Sequence, residues 1–353
     1  MFRMREVGID SILIAGLLLT SLFDEVAQAD APECGEWITH DIKLEANLYC
    51  DSEPFFDALV IGADGITIDL NGYTIVGAGE QSGIYSGGFS NLTIKNGAIT
   101  GFIHGILVGE GANIEIRQLT LANQHSDSIL VIASNKVEIK DVQISLPQTA
   151  PGSDITLVDV DGAMVKRVTA HGGFYGVLSI GTDGVSRNCK VEDSVFAAIE
   201  HVGIRLVHND GAMLRNNRIF GLPECYSGID VVGDGESTDI HILGNVITGC
   251  GWGIFEAQEP STRLFIQHNS VYQNVDGIFA LGLTGSKLIG NRVHLNEFSG
   301  IGLNGGSTGN RILNNTATGN GFTDMSHSED STPNLWRGNT CQTSDEGEEV
   351  DCQ

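Results

Sequence analysis

The sequence predicts an all-β protein: a single-domain right-handed parallel β-helix with three short strands per coil and about eleven coils. Three observations lead there. First, a Gly-Ile pair returns at Gly228-Ile229, Gly253-Ile254, Gly277-Ile278 and Gly300-Ile301, in steps of 25, 24 and 23 residues. Second, each interval repeats one plan. An apolar run and a Gly-rich turn lead to a second apolar strand (Ile240 to Leu243, Leu264 to Ile266, Lys287 to Ile289), then an Asn and a third short strand. Third, apolar and polar residues alternate strictly in runs such as Gly65-Ile-Thr-Ile-Asp-Leu-Asn-Gly72, the pattern of strands with one buried face. One unit is too small to bury its apolar face alone. Stacked on its neighbours, it buries that face continuously.

The chain starts with a different kind of segment. Arg3 and Arg5 precede an apolar run, Ile12 to Phe23, which ends in the small residues Ala27-Gln28-Ala29. This is the plan of a secretory signal peptide cleaved after Ala29, so residues 1–29 are set apart and a secreted or periplasmic location is expected. The apolar run is too short to span a bilayer, and no later run approaches that length.

Formal charge is −26 for the whole sequence. Such a surface disfavours nucleic acid and anionic membranes. It also disfavours acidic polysaccharides, unless divalent cations bridge or a local basic patch overrides the mean. The seven cysteines fall as Cys34/Cys50, Cys225/Cys250 and Cys341/Cys352, with Cys189 left over and no Cys-x-x-Cys metal spacing. Three disulfides in an oxidising compartment and one buried free thiol are expected.

Residues 30–58 lack the repeat and read as an N-terminal cap over an otherwise open strand edge. The β-helix itself is expected over 59–320. Its marker runs from Gly83-Ile84 and Gly105-Ile106 through the weaker Ser128-Ile129, Asp154-Ile155, Gly176-Val177 and Gly203-Ile204 to Gly228. Asn217, Asn245, Asn269, Asn291 and Asn315 share one column, where stacked amides can bond from coil to coil. Residues 321–353 are polar and acidic, and read as a C-terminal cover with a loose tail.

With the coils laid out, the chain resembles the pectin-lyase-like superfamily, in particular secreted proteins built from generic parallel β-helix repeats. Gly65 to Ile75, Asn91-Leu-Thr-Ile-Lys-Asn-Gly-Ala-Ile99 and the Gly-Ile series carry the resemblance over roughly residues 34–320. It implies the fold and a carbohydrate context. Members include polysaccharide lyases, epimerases, glycoside hydrolases, adhesins and non-catalytic proteins. The Asp-Pro-His triplet of mannuronan epimerases is absent. So are the Asn-Thr-Asp, Asp-Asp and Gly-His-Gly set of polygalacturonase-like hydrolases and the Trp-Ile-Asp-His run of pectate lyases. No family's catalytic residues therefore carry over.

A candidate site comes instead from the columns. Equivalent positions on successive coils lie about 4.8 Å apart, and side chains alternate in and out. If the Ile of Gly-Ile points inward, the next residue points outward, giving Leu178, Arg205, Asp230, Phe255 and Phe279. Columns just before the Gly add Tyr175, His201, Tyr226 and Trp252. For β-elimination on a uronate, His201 would be the base and Tyr175 the acid. Arg205 would neutralise charge, with or without a Ca²⁺ held by Asp230. Tyr226, Trp252, Phe255 and Glu256 would contact the sugar chain. Epimerisation would use the same parts.

Plainer readings stand beside these. Arg205 and Asp230 suffice for a surface ion pair, His201 is one of ten histidines, and the tyrosines suit packing under turns. Glu256 falls in an otherwise apolar column, so either the strand ends there or a carboxylate is buried. Asp230 with Glu256 is the nearest pair for an inverting glycoside hydrolase. The expectation is a monomeric, polysaccharide-directed lyase or epimerase. The alternatives are a non-catalytic carbohydrate-binding or surface β-helix, and then the hydrolase.

Overall fold

The computed structural model describes residues 31–50, 56–79, 81–147, 151–182, 185–232, 237–257, 261–344 and 350–353. By its contacts the chain divides into Met1–Ala31 and Pro32–Gln353. The expected signal peptide, 1–29, lies outside the described residues. All strands belong to the second unit, and every named strand pairing is parallel. There is no helix among the described residues, hence none long and apolar enough to cross a membrane.

Three ladders wind as a right-handed parallel β-helix. The first holds the Gly-Ile strands and has thirteen strands, from Glu36–Ile38 to Thr323–His327. The second runs from Ile42–Lys43 to Leu335–Arg337, and the third from Leu48–Tyr49 to Thr316–Thr318. Two long strands, Leu92–Thr100 and Ala112–Ala122, pass through both of these ladders. The parallel pairing reaches further at each end than the repeat marker does. Residues 36–49 pair with 59–76 as a coil of their own, and Thr323–His327 pairs with the Ser299–Asn304 strand.

The marker residues have a physical reason. The Ile column (Ile204, Ile229, Ile254, Ile278, Ile301) stacks in register and is buried throughout. Each such side chain contributes roughly 1.5–3 kcal/mol through removal from water. Glycine precedes it because the coils approach closely there. A Cβ on Gly253 would lie 2.7 Å from the Gly277 carbonyl oxygen, and one on Gly228 would lie 2.8 Å from that of Gly253.

The asparagine column is a continuous ladder. Asn245 Nδ2 donates to Asn269 Oδ1 at 3.0 Å, Asn269 Nδ2 to Asn291 Oδ1 at 3.0 Å, and Asn291 Nδ2 to Asn315 Oδ1 at 2.9 Å. A second ladder joins Asn274, Asn296 and Asn320 and ends on Asp324. Disulfides join Cys34–Cys50, Cys225–Cys250 and Cys341–Cys352, and Cys189 is a buried free thiol. Cys225–Cys250 ties two successive coils, with Cα atoms 4.6 Å apart.

Candidate functional site

Strand register sets the outward column of the first ladder. Leu178, Arg205, Asp230, Phe255 and Phe279 follow one another on successive strands. Just before these strands the chain turns a corner. There the Tyr226 amide donates to the His201 carbonyl at 2.7 Å, and the His201 amide to that of Phe174 at 3.0 Å. The two columns bring aromatic rings together across five coils. Phe174 stacks on His201 with centroids 4.5 Å apart, and His201 lies 5.3 Å from Tyr226. Tyr226 meets Trp252 edge-on at 4.6 Å, Trp252 stacks on Phe255 at 4.6 Å, and Phe255 continues to Phe279 at 6.1 Å. Tyr226 is 37% exposed, whereas Phe255 is nearly covered.

Arg205 sits within this wall. Its guanidinium carbon lies 5.9 Å from the Tyr175 ring centroid, and its Nε is 3.6 Å from Asp230 Oδ2. Tyr175 and His201 rings are 5.6 Å apart. Charge and burial couple the group. Burial, helped by the Arg205 charge, lowers the His201 pKa, which favours the neutral imidazole. Burial, then the Asp230 charge, raises the Tyr226 phenol. Asp230 is 1% exposed, and neither carboxylate oxygen has a hydrogen-bond partner among the described residues. Burial pushes it up to about 6, against the pull of Arg205.

Seven of the expected residues therefore lie on one wall: Tyr175, His201, Arg205, Tyr226, Asp230, Trp252 and Phe255. Glu256 does not, and its expected sugar contact is corrected. The strand continues through it to Ala257, in register with the apolar Val231 and Ala280, so the side chain turns inward. There it is 1% exposed and accepts from the Ser261 and Leu281 amides at 3.3 and 3.2 Å. Burial raises its pKa to about 7. Asp230 thus stands in the outward column and Glu256 in the inward one, on neighbouring coils, and the Asp230 charge adds to the upward shift of Glu256.

Asp230 is a single buried carboxylate beside a guanidinium, and no group of three or more His, Cys, Asp or Glu among the described residues could hold a metal ion.

Sequence reasoning missed one part of the site. A hollow of about 440 Å³ opens beside the wall, lined by Phe174, Glu200, His201, Leu222 and Glu224. Only the adjacency of Glu200 to His201 hinted at it. A larger hollow of about 640 Å³ lies on the second ladder, where Glu115 is already bound by Lys140 at 2.7 Å and Arg117 at 3.1 Å.

The family model described as "Right handed beta helix region" matches residues 82–247 and 179–342. No curated protein matches the sequence. Among solved structures, a mutant of the periplasmic alginate epimerase AlgG is similar over 76% of this chain and 75% of that one, with 14% identity and a TM-score of 0.56. The A-module of the Azotobacter vinelandii mannuronan C-5 epimerase AlgE6 is similar over 86% and 84%, with 17% identity and a TM-score of 0.52. The catalytic domain of a GH87 alpha-1,3-glucanase, in complex with tetrasaccharides, is similar over 85% of this chain and 64% of that one, with 13% identity and a TM-score of 0.60. At these identities the likeness is one of fold.

Proposed function

The chain belongs to the right-handed β-helix family, and from that premise we propose that it is a secreted carbohydrate-active protein, a lyase or C5-epimerase acting on an acidic polysaccharide. The observation that carries this reading is the unbroken ring series from Phe174 to Phe279 with Arg205 set into it. Ring faces suit the apolar faces of sugars, and a lone guanidinium among them suits a uronate carboxylate. Three disulfides support an oxidising compartment. The epimerases and the glucanase that share the fold support the substrate class.

The chemistry follows from the wall. Arg205 binds the uronate carboxylate and stabilises the charge that builds there when the C5 proton leaves. Neutral His201 takes that proton. For elimination, the C5 electron pair forms the C4=C5 bond and expels the C4 oxygen, which takes the Tyr175 proton. For epimerisation, a proton returns to C5 from the opposite face. Asp230 holds Arg205 in place.

The test is incubation of the purified protein with alginate, pectate and glycosaminoglycans. Ultraviolet absorbance reads the unsaturated uronate, and proton NMR reads inversion at C5. Either signal should vanish in His201→Ala and Arg205→Ala. Because Asp230 already engages Arg205, a second reading is a non-catalytic sugar-binding wall. Silence in both assays with binding retained would favour it.

A further inference from the structure

The wall leaves the charge distribution unexplained. The sequence holds 45 acidic residues against 19 basic ones, yet residues 261–275, 282–296, 305–320 and 331–343 contain no Asp or Glu. These stretches form the second and third ladders of the last four coils. They carry Arg263, Lys287, Arg292, Arg311 and Arg337, with His268 and His294. Register aligns them: Phe265, Lys287 and Arg311 are consecutive in one outward column, and Ser270, Arg292 and Thr316 in another. Arg292, Arg311 and Arg337 are exposed. Lys287 Nζ lies 5.2 Å from the Phe265 ring centroid, and His241, the neighbour of Phe265 on the preceding coil, stacks on it at 4.5 Å.

Most bases of the earlier coils are engaged differently. Lys95, Arg117, Lys140, Lys166 and Arg215 also form outward positions of the second ladder, and each is in an ion pair there, although Lys43 and Lys190 on the same ladder have none among the described residues. Among the described residues, no carboxylate lies in ion-pair range of Lys287, Arg292, Arg311 or Arg337, while Arg263 is bound by Asp239. The last coils of an acidic protein thus present four cations that no carboxylate neutralises among the described residues.

We propose that this face, separate from the aromatic wall, binds an anionic polysaccharide lying along the axis of the stack. Coils repeat at about 4.8 Å, close to the length of one pyranose, so successive uronates meet cations on successive coils. Arginine forks take carboxylates in two parallel bonds, while Phe265 and the neighbouring imidazoles offer ring faces. The acidic remainder of the surface repels a polyanion and confines it to this track. The inference rests on the polysaccharide reading only for the chemical class of the polymer, and not on any reaction at His201.

The test is calorimetric titration of the full protein with alginate and pectate oligomers at low and high salt. Lys287→Glu/Arg311→Glu should weaken binding by about tenfold or more, whereas Lys95→Glu/Arg117→Glu on the ion-paired early coils of the same ladder should not. Binding should fall with salt and should persist in a His201→Ala/Arg205→Ala background, which separates this site from the catalytic reading. Unchanged affinity in the first variant, with native circular dichroism, would overturn the proposal. So would equally tight binding of single-stranded DNA or of phosphatidylserine vesicles, which would show a surface blind to sugars.

Discussion

Arg205 and Asp230 face each other on neighbouring coils with Nε and Oδ2 3.6 Å apart, the carboxylate covered and the guanidinium partly open to solvent. The pair is asymmetric. Removing Arg205 strands a buried charge, whereas removing Asp230 only loosens a cation. Arg205→Ala should cost about 1–3 kcal/mol of stability at neutral pH. The loss should shrink near pH 5, where Asp230 takes a proton. Urea midpoints at the two pH values check this. Arg205→Ala/Asp230→Asn should recover stability without recovering uronate binding.

Buried carboxylates set a pH dependence opposite to that of ordinary acid denaturation. Burial raises Glu256 from 4.5 to about 7 and Asp230 from 3.8 to about 6, and it raises Asp154 as well. Between those limits the native state holds more protons than the unfolded chain, so stability falls as pH rises. Surface carboxylates such as Glu115, lowered by its bond to Lys140, act the other way only below their ordinary range. Thermal unfolding should therefore be highest near pH 5 and decline toward pH 8. Glu256→Gln should flatten the decline.

Asn269 holds three coils at once. Its Nδ2 donates to the Ile242 carbonyl at 2.8 Å and to Asn291, and its Oδ1 accepts from the Asn245 amide at 2.8 Å. Asn269→Leu leaves buried donors and an acceptor without partners and should cost about 2–4 kcal/mol. Asn123→Gly, whose lost amide bond is exposed and whose left-handed backbone glycine accepts, should cost little. Chemical denaturation of both variants makes the comparison.

The Cys225–Cys250 bond lies directly beneath the wall, since Tyr226 follows Cys225 and the Trp252 amide donates to the Tyr226 carbonyl at 2.9 Å. Cys225→Ala/Cys250→Ala should lower stability by about 3 kcal/mol, as expected for a loop of this length. It should also loosen the ring series, read as weaker oligosaccharide binding and a changed near-ultraviolet circular dichroism spectrum.

Much of this was legible in the residues because stacking makes sequence period and space equivalent. Once Gly228, Gly253 and Gly277 are aligned, Arg205, Asp230 and Phe255 fall into one column, and the register agrees. Glu256 was not legible. Alternation gives a residue's side of a strand but not whether the strand continues, and here backbone amides make a buried carboxylate tolerable. The second asparagine ladder escaped because Asn274 lies three residues before its Gly and Asn296 four, so the column drifts in sequence while staying aligned in space. The end coils escaped because Glu36 and Met325 stand in the Ile column, the one polar and the other without a preceding glycine.

The placement of the disulfides bears on how such a stack can fail. Each coil is held only by its neighbours, so the two outermost turns have half the support and are the natural points for peeling. Cys34–Cys50 closes the first turn on itself, and Cys341–Cys352 closes the last segment. While these bonds stand, neither tip can fray residue by residue. Rupture must start at an interior rung or take the whole stack, and a reductant converts that abrupt failure into gradual unravelling from both extremities.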